Sequence, residues 1–285
     1  MKALILAAGR GTRLFPVTRP VDKPLVAVYD KPLIYYPLCS LIEAGVTDIL
    51  ILVGTGKIPR FSELFGDGSD FGVRIQYLEQ HIQRGIADAF LLAEDFIANE
   101  PICLLLGDNI FLGEEFSRQL EAAFAEKEGA TIFACPSEHP EQFGVVEFDE
   151  NGNALSIEEK PAKPKSRYII PGAYVYDSSV SSMAAQLKPS ARGELEISDL
   201  NQLYLNQGSL RVRALGESVT WMDVGSADAV LDAANLIRSR QHSSGQLMGC
   251  IEAAAYRRGY ISHAELHELG QRLAGTSYGK YLLSL

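Results

Sequence analysis

The first half of the chain alternates between short, continuous apolar runs and longer segments with helical periodicity. The apolar runs are ALILA (3–7), DILILV (48–53), ICLLLG (102–107) and ATIFAC (130–135). Runs without polar alternation are typical of strands that are buried on both faces of a parallel sheet. The periodic segments, PLIYYPLCSLIEAG (32–45) and IADAFLLAEDFI (86–97), predict helices, the first of them ending at Gly45. This order predicts a doubly wound α/β sheet.

The second half has a different pattern. The segment FGVVEFDENGNALSIEEKP (143–161) reads as strand, Asn-Gly turn and strand, which predicts a β-hairpin. Two further strand-like segments, YIIPGAYVYD (168–177) and SLRVRALG (209–216), are expected to join the first sheet as antiparallel strands. A polar break, QHSSGQ (241–246), precedes a tail that looks helical. We therefore expect a main domain at 1–240, with a Rossmann-like, mixed and mostly parallel sheet and a hairpin insertion, and a C-terminal helical segment at 241–285.

Composition narrows the class of protein. The 285 residues include 47% hydrophobic and 22% charged residues, which is ordinary for a globular domain, and the formal net charge of −10 argues against nucleic acid as a partner. No apolar run reaches the roughly 18 residues that a membrane span needs, so no membrane partner is expected. The four cysteines are scattered without metal-ligand spacing, which indicates buried free thiols in a reducing cytoplasm.

The loop LAAGRGTRL (6–14) follows the first apolar run and fits neither common nucleotide-binding fingerprint. A Rossmann site needs a third glycine where this chain has Leu14, and a P-loop needs Ser or Thr where Ile58 follows Gly-Lys. The loop glycines nevertheless allow backbone N–H groups to approach an anion, and Arg13 can bind two phosphate oxygens at once. A phosphate site is the favoured interpretation, and a flexible surface loop with solvated charges is the alternative.

The loop and a series of later motifs resemble the sugar-phosphate nucleotidyltransferases. The motifs are DKPL (22–25), YDKPLIYYPL (29–38), LGDNIF (106–111), FGVVEFD (143–149), EEKP (158–161), LKPSARGELEISDLN (187–201), WMDVGS (221–226), GCIEAAAYRRGYI (249–261) and YGKYLL (278–283). They occur in family order along essentially the whole chain. The resemblance is greatest to the branch that transfers a nucleotidyl group from dTTP to glucose 1-phosphate, giving dTDP-glucose and pyrophosphate. It implies small-molecule substrates. The alternatives are a relative that uses UTP or another sugar phosphate, and a non-catalytic nucleotide-sugar sensor.

The resemblance implies roles for the charged residues that would handle the phosphates. Asp108 and Asp223 would hold Mg²⁺, a hard cation commonly bound by one or two carboxylates plus phosphate oxygens. Arg13 would bind the leaving pyrophosphate, and Lys23 would lie over the reacting phosphates. Taken without the resemblance, the two acids read as turn or capping residues and Lys23 as a solvated surface lysine.

The sugar and the base have their own implied residues. Lys160 and Arg192 would bind the sugar phosphate, and Asn109, Glu159 and the backbone at Gly144 would bind the sugar hydroxyls. The resemblance adds six residues around the nucleotide and sugar: Ala8, Gly9, Gly11, Thr12, Gly85 and Ala173.

Gln80 would pair with the base, because its amide offers one donor and one acceptor, which matches the O4/N3–H edge of thymine or uracil. Departures from the family pattern near these substrate positions include Arg84, Asp88, Phe143, Ala173 and Val224. They motivate the hypothesis that the enzyme takes another base or sugar.

The tail matches the segment that forms subunit contacts in this family, which implies a homo-oligomer, most simply a homotetramer. Arg257 and Arg258 lie in that segment and read either as part of a regulatory site or as a solvated helix face. Glu114 and Glu115 stand near a position where the family often has a histidine. Because acids repel a nucleotide phosphate, we do not expect feedback control by a nucleotide sugar.

Overall fold

The computed structural model describes all 285 residues. The strands are β1 (Lys2–Ala7), β2 (Ala27–Val28), β3 (Lys31–Pro32), β4 (Asp48–Gly54), β5 (Arg74–Gln80), β6 (Ile102–Leu106), β7 (Asn109–Leu112), β8 (Ala130–Pro136), β9 (Gly144–Phe148), β10 (Ala154–Glu159), β11 (Tyr168–Ile169), β12 (Ala173–Tyr176), β13 (Leu210–Ala214) and β14 (Thr220–Asp223). The α-helices are α1 (Tyr35–Glu43), α2 (Ile58–Phe65), α3 (Asp88–Leu92), α4 (Glu94–Ile97), α5 (Glu114–Phe124), α6 (Val180–Ala184), α7 (Ile197–Asn206), α8 (Ala227–Ser244), α9 (Ile251–Arg257), α10 (His263–Arg272) and α11 (Ser277–Leu282).

A mixed sheet forms the centre of the molecule, in the order β10-β9-β11-β8-β12-β6-β1-β4-β5, with β13 also paired to β8. The four strands β6, β1, β4 and β5 run parallel, and all four predicted apolar runs are strands. β12 joins antiparallel between β6 and β8, and β9 and β10 form the predicted hairpin. The doubly wound α/β prediction is therefore confirmed. The expectation of an antiparallel β13 is wrong, because this strand pairs parallel with β8.

Alternation along β1 shows how the sheet is buried. Ala3 and Ile5 belong to a core of 39 buried residues on one face, and Leu4 belongs to a core of 26 buried residues on the other. Since successive side chains of a strand point to opposite faces, an unbroken apolar run is what a strand covered on both sides requires. The polar groups at the carboxyl ends of these strands are therefore the ones left near the surface.

Two predicted segments are interrupted in the structure. The segment 86–97 forms two short helices, α3 and α4, with Ala93 between them. The segment 168–177 forms β11 and β12 rather than one strand. None of the helices combines the length and the apolar composition that a membrane-spanning helix requires.

The C-terminal segment packs onto the main domain. α9 lies against α1, and Ile251 and Leu266 belong to the same core as β1. The predicted polar break at 241–246 is wrong in its position, because α8 continues to Ser244 and ends at Gly245, which has a φ of 70°. Gln241 lies in the last turns of that helix and donates to Asp30 at 2.9 Å. This hydrogen bond offsets the cost of burying the Gln241 amide, in a segment whose polar composition is typical of a linker.

Candidate active site

Two polar clefts lie on either side of the glycine loop, residues 8–14. The larger cleft, of about 770 Å³, is lined by Thr12 and Arg13 from this loop, and the smaller, of about 620 Å³, by Ala8, Gly9 and Arg10. The other predicted residues lining the larger cleft are Asp108, Asn109, Gly144, Glu159, Lys160 and Asp223. Gln80 lines the smaller cleft. One short loop thus contributes to both clefts.

The conformation of the glycine loop explains its composition. Gly11 has a φ of 60°, and a β-carbon there would lie 3.0 Å from the side chains of Thr18 and Lys23. The Thr18 hydroxyl donates to the Gly11 carbonyl at 2.6 Å and holds the turn. No atom lies within 4 Å of a β-carbon built on Gly9, so this part of the backbone is open to a ligand.

Strand pairing brings the two predicted metal-binding acids together. Asp108 lies between β6 and β7, and β14 pairs antiparallel with β7 so that Asp223 is opposite Asn109. Each acid faces a cation: the Lys23 ammonium donates to Asp108 Oδ2, and Arg13 lies 3.7 Å from Asp223 Oδ2. Burial, and then the nearby Asp108 charge, raise the pKa of Asp223, while Lys23 and Arg13 oppose this rise.

The chemistry of the two acids suits a hard divalent cation. Carboxylate oxygens are the ligands that Mg²⁺ prefers, and it usually takes its remaining ligands from phosphates and water. The repulsion that raises the pKa of Asp223 is the interaction that a bound cation would reverse. The structure contains no group of three or more His, Cys, Asp and Glu side chains that could hold a metal. A cation at these two acids would therefore need oxygens from the substrates.

Asn109 is fixed by a side chain that the sequence did not identify. The Trp221 indole donates to Asn109 Oδ1 at 2.7 Å, and Asn109 Nδ2 donates to Asp108 Oδ1 at 2.9 Å. The Phe143 ring packs edge-on against Trp221, with 5.3 Å between ring centroids. The motif WMDVGS contained Trp221, but the motif alone does not show that its indole on β14 orients an amide on β7, seven strands earlier in the chain.

Glu159 and Arg192 form a second charged group in and beside the larger cleft. The Ser198 hydroxyl donates to Glu159 Oε2, and Arg192 lies 3.4 Å from Glu159 Oε1. Arg192 also donates to Glu196 Oε2 at 2.8 Å, so its guanidinium is already engaged by carboxylates. Sequence reasoning missed Ser198 and Glu196, although both lie in the motif GELEISDLN that carried the resemblance.

Lys160 lines the larger cleft and, unlike Arg13, Lys23 and Arg192, forms no ion pair in the structure. Its backbone has a φ of 44°, and its N–H donates to the Phe143 carbonyl at 3.0 Å. A left-handed conformation costs a non-glycine residue about 1 kcal/mol or more, and such residues cluster at binding sites. The lysine thus presents an unpaired positive charge to the larger cleft.

Of the predicted residues, Gly11 and Arg192 adjoin the clefts without lining them, and three more lie away from the cleft surfaces. Ala173 is fully buried in the sheet, paired with Leu105, and its neighbours Gly172 and Tyr174 line the cleft instead. Its alternating position on β12 points its side chain into the core, so the side chain of Ala173 does not line the cleft. Gly85 packs against the Leu195 backbone, and Lys23 is buried beneath the glycine loop.

The arginines of the tail are held within the chain. Arg257 donates to Glu43 Oε1 at 3.0 Å, and Arg258 donates to Glu121 Oε2 at 2.8 Å and to the Glu43 carbonyl. Both guanidinium groups are therefore paired within the chain and are not simply solvated on a helix face. Both arginines anchor the C-terminal segment to α1 and α5.

Comparisons of sequence and of structure relate this chain to known proteins. The model of the nucleotidyl transferase family matches residues 2–240. A glucose-1-phosphate thymidylyltransferase of Neisseria meningitidis is 50% identical over all of this chain and 99% of its own, and that of Mycolicibacterium smegmatis is 46% identical with the same coverage. The crystal structure of a putative glucose-1-phosphate thymidylyltransferase from Bacillus anthracis, in complex with a sucrose, is 39% identical, covers 84% of this chain and 95% of its own, and superposes with a TM-score of 0.77. A UDP-glucose pyrophosphorylase in complex with UDP-glucose is 22% identical, covers 84% of this chain and 98% of its own, and has a TM-score of 0.74, which shows the shared fold.

Proposed function

The chain belongs to the nucleotidyl transferase family, and we propose that it transfers a thymidylyl group from dTTP to glucose 1-phosphate, giving dTDP-glucose and pyrophosphate. Relatives named glucose-1-phosphate thymidylyltransferase match this chain over its full length, at 44–50% identity. One structural observation carries the proposal: two polar clefts meet at a single glycine-rich loop. A transfer between two phosphates requires two ligand sites whose phosphates meet.

The reaction needs no nucleophile from the protein. An oxygen of the sugar phosphate attacks the α-phosphorus of dTTP, the bond to the β-phosphate oxygen breaks, and pyrophosphate leaves with the electron pair. Both reactants are anions, so the chain must offset their repulsion and align them. Lys160 in the larger cleft and Arg192 beside it bind the sugar phosphate, and the loop backbone with Arg13 binds the leaving pyrophosphate.

Asp108 and Asp223 are assigned to magnesium. When bound, Mg²⁺ supplies positive charge to the phosphate oxygens at which negative charge develops. Trp221 and Asn109 hold Asp108 in place through consecutive hydrogen bonds, which keeps one carboxylate oriented before a ligand arrives. Lys23 neutralises Asp108 in the absence of the metal.

The smaller cleft is assigned to the nucleoside and the larger to the sugar. Gln80 offers the base an amide, and Glu159 and Asn109 offer the sugar one carboxylate and one amide. Thymine and uracil present the same O4/N3–H edge, so Gln80 does not distinguish dTTP from UTP through that edge. UTP therefore remains the alternative nucleotide.

We also propose that the protein is cytoplasmic and forms a homotetramer. We propose that no nucleotide sugar inhibits it by feedback. All four cysteines are buried and free, which suits a reducing compartment. The exposed Leu231 on α8 and Leu273 after α10 are available for subunit contacts. Light scattering on the purified protein measures the oligomeric state, and addition of a nucleotide sugar to the assay tests the absence of feedback.

The experiment that tests the function measures pyrophosphate release with Mg²⁺ over a grid of substrates. The grid crosses dTTP, UTP, CTP and GTP with the 1-phosphates of glucose, N-acetylglucosamine, galactose and mannose. We expect the highest kcat/KM for dTTP with glucose 1-phosphate. A maximum at another pair would change the proposed substrates and leave nucleotidyl transfer as the proposed reaction. The absence of turnover with every pair, together with retained nucleotide binding, supports the sensor.

A further inference from the structure

Gln80 belongs to a side-chain network that extends away from the smaller cleft. It is the last residue of β5 and only 5% exposed, and its Nε2 donates to Asp88 Oδ2 at 3.2 Å. Asp88 is 1% exposed, and its other oxygen accepts from Arg84 at 2.7 Å. The departures at positions 84 and 88 therefore form one unit with the glutamine beside the cleft.

This contact fixes which way the glutamine amide points. A carboxylate only accepts hydrogen bonds, so only the NH₂ end of the Gln80 side chain can face Asp88. The only hydrogen bond of the Gln80 side chain within the chain is the one to Asp88, so Gln80 Oε1 has no partner there. The amide is left with one acceptor, Oε1, and one N–H for a ligand in the cleft that it lines.

Main-chain hydrogen bonds to Leu195 hold the backbone around this network. The Leu195 N–H donates to the Arg84 carbonyl at 2.6 Å, and the Leu195 carbonyl accepts from Ala87 at 3.2 Å. Gly85 lies between these two bonds with a φ of 102°, and a β-carbon there would lie 2.7 Å from Leu195 N. Arg84 and Asp88 are thus placed by main-chain pairing to the segment before α7 and do not depend on a ligand.

We propose that Asp88 is a positioning residue that makes the base site select thymine or uracil over cytosine. The inference rests on the proposed function in one respect, since it takes the smaller cleft as the base site. With its NH₂ end toward Asp88, Gln80 accepts from a base N3–H and donates to O4. Cytosine has an acceptor at N3 and a donor at N4, so the amide would have to rotate and turn Oε1 toward the Asp88 carboxylate. Two nearly buried acceptors would then face each other without a proton between them.

The test is the variant Asp88→Asn, examined by calorimetric binding of dTTP, dUTP and dCTP in the presence of Mg²⁺. The amide of Asn donates or accepts, so either orientation of Gln80 is satisfied. We expect the preference for dTTP over dCTP to fall about tenfold, the scale of one well-placed hydrogen bond. The ratio of dTTP to dUTP should remain unchanged, because those two bases share the edge that Gln80 contacts.

The ratio distinguishes positioning from simple loosening of the site. A merely structural role for Asp88 predicts that dTTP and dCTP both weaken by the same factor, and that result overturns the proposal, as does an unchanged ratio. Asp95→Asn removes the same charge from an exposed position on α4 and serves as the matched control. If Asp88→Asn does not fold, Asp88→Ser provides the second measurement, because a hydroxyl also donates or accepts.

The binding assay separates this inference from the proposed function. If the wild-type protein binds dTTP but releases no pyrophosphate with any sugar phosphate, the proposed function fails, and the change in base preference still tests Asp88. If the wild-type protein is active and Asp88→Asn keeps the dTTP preference, only the role of Asp88 fails. A wild-type protein that binds none of the three nucleotides overturns both.

Discussion

Replacing Lys23 by Met tests whether this lysine is the counter-ion of the two acids. The Lys23 side chain is 7% exposed and contacts Asp108, whose side chain is 29% exposed. Met preserves most of the buried length of the side chain and removes only the charge. Asp108 and Asp223 would then lie close together with only the exposed Arg13 to offset their repulsion.

The expected loss follows from the burial of the pair. Removing one partner of a fully buried ion pair costs about 3–5 kcal/mol, because the remaining charge is left without compensation. The partial exposure of Asp108 reduces this penalty, so we expect a loss of about 2 kcal/mol. For a chain of this size, that loss lowers the Tm by roughly 5 °C.

The assay is thermal unfolding of wild type and variant, each in EDTA and in Mg²⁺. We expect Lys23→Met to be destabilised in EDTA and to gain more from Mg²⁺ than wild type does, since the cation takes the place of the lost ammonium. Lys23 also opposes the rise in the pKa of Asp223. Without it the folded-state pKa lies further above the ordinary value of 3.8, so the stability deficit in EDTA should grow as the pH rises from that value through the raised folded-state pKa.

Lys57→Met is the matched control, because Lys57 pairs with Asp22 at 3.3 Å but its side chain is 33% exposed. That exposed pair should contribute less than about 1 kcal/mol. A Lys23 variant as stable in EDTA as wild type refutes the counter-ion argument. An equal Mg²⁺ response in the two proteins refutes the assignment of the metal to this pair of acids.

Three further changes test other parts of the structure. Asp223→Asn should lower kcat for pyrophosphate release at least about 100-fold while leaving the Tm near that of wild type, and near-normal kcat would contradict the metal assignment. Gly85→Ala should cost roughly 2 kcal/mol in thermal unfolding and weaken dTTP binding, because the new β-carbon collides with the Leu195 backbone at a positive φ. Glu252→Gln should match wild type in stability below pH 4.5 and exceed it near neutral pH: burial raises the pKa of Glu252 above its ordinary 4.5, so stability present below that value is lost as the pH rises through the folded-state pKa. An unfolding series over pH measures the difference, and parallel curves would show that Glu252 does not cause the loss.

The central strands were predictable because their signal is local. The run ILILV in β4 is covered on both faces of the sheet. Each of its residues therefore has to be apolar, and this is visible in the sequence without knowledge of the rest of the fold. The direction of β13 was not predictable in this way. Its alternating residues fit either direction, and its parallel pairing with β8 depends on where the chain returns after α7. The segment at 241–246 was misread for a similar reason, since its composition does not reveal that Asp30 accepts a hydrogen bond from Gln241.

The candidate site likewise contains residues that the sequence could predict and contacts that it could not. The family resemblance, and not the residue types alone, assigned Asp108 and Asp223 to one site, and strand pairing between β7 and β14 explains why they meet. The partners that orient the site come from contacts between distant parts of the chain, as with Trp221 on Asn109. Periodicity and motif spacing contain no information on such contacts, so Asp88 appeared only as a departure from a pattern.

The charge balance at the two clefts explains why a transferase of this kind depends on an added cation. Arg13, Lys23 and Arg192 each face at least one carboxylate, whereas Lys160 in the larger cleft and Arg10 in the smaller cleft form no ion pair. The carboxylates facing these cations are Asp108, Asp223, Glu159, Glu194 and Glu196. Before substrates arrive, the region is therefore close to neutral or slightly negative, which does not by itself favour a triphosphate and a sugar phosphate together. A divalent cation at Asp108 and Asp223 would neutralise two of these acids and release Lys23 and Arg13 toward the phosphates. The acids thus control when the cations become available, and binding of the anionic substrates should be coupled to binding of the metal.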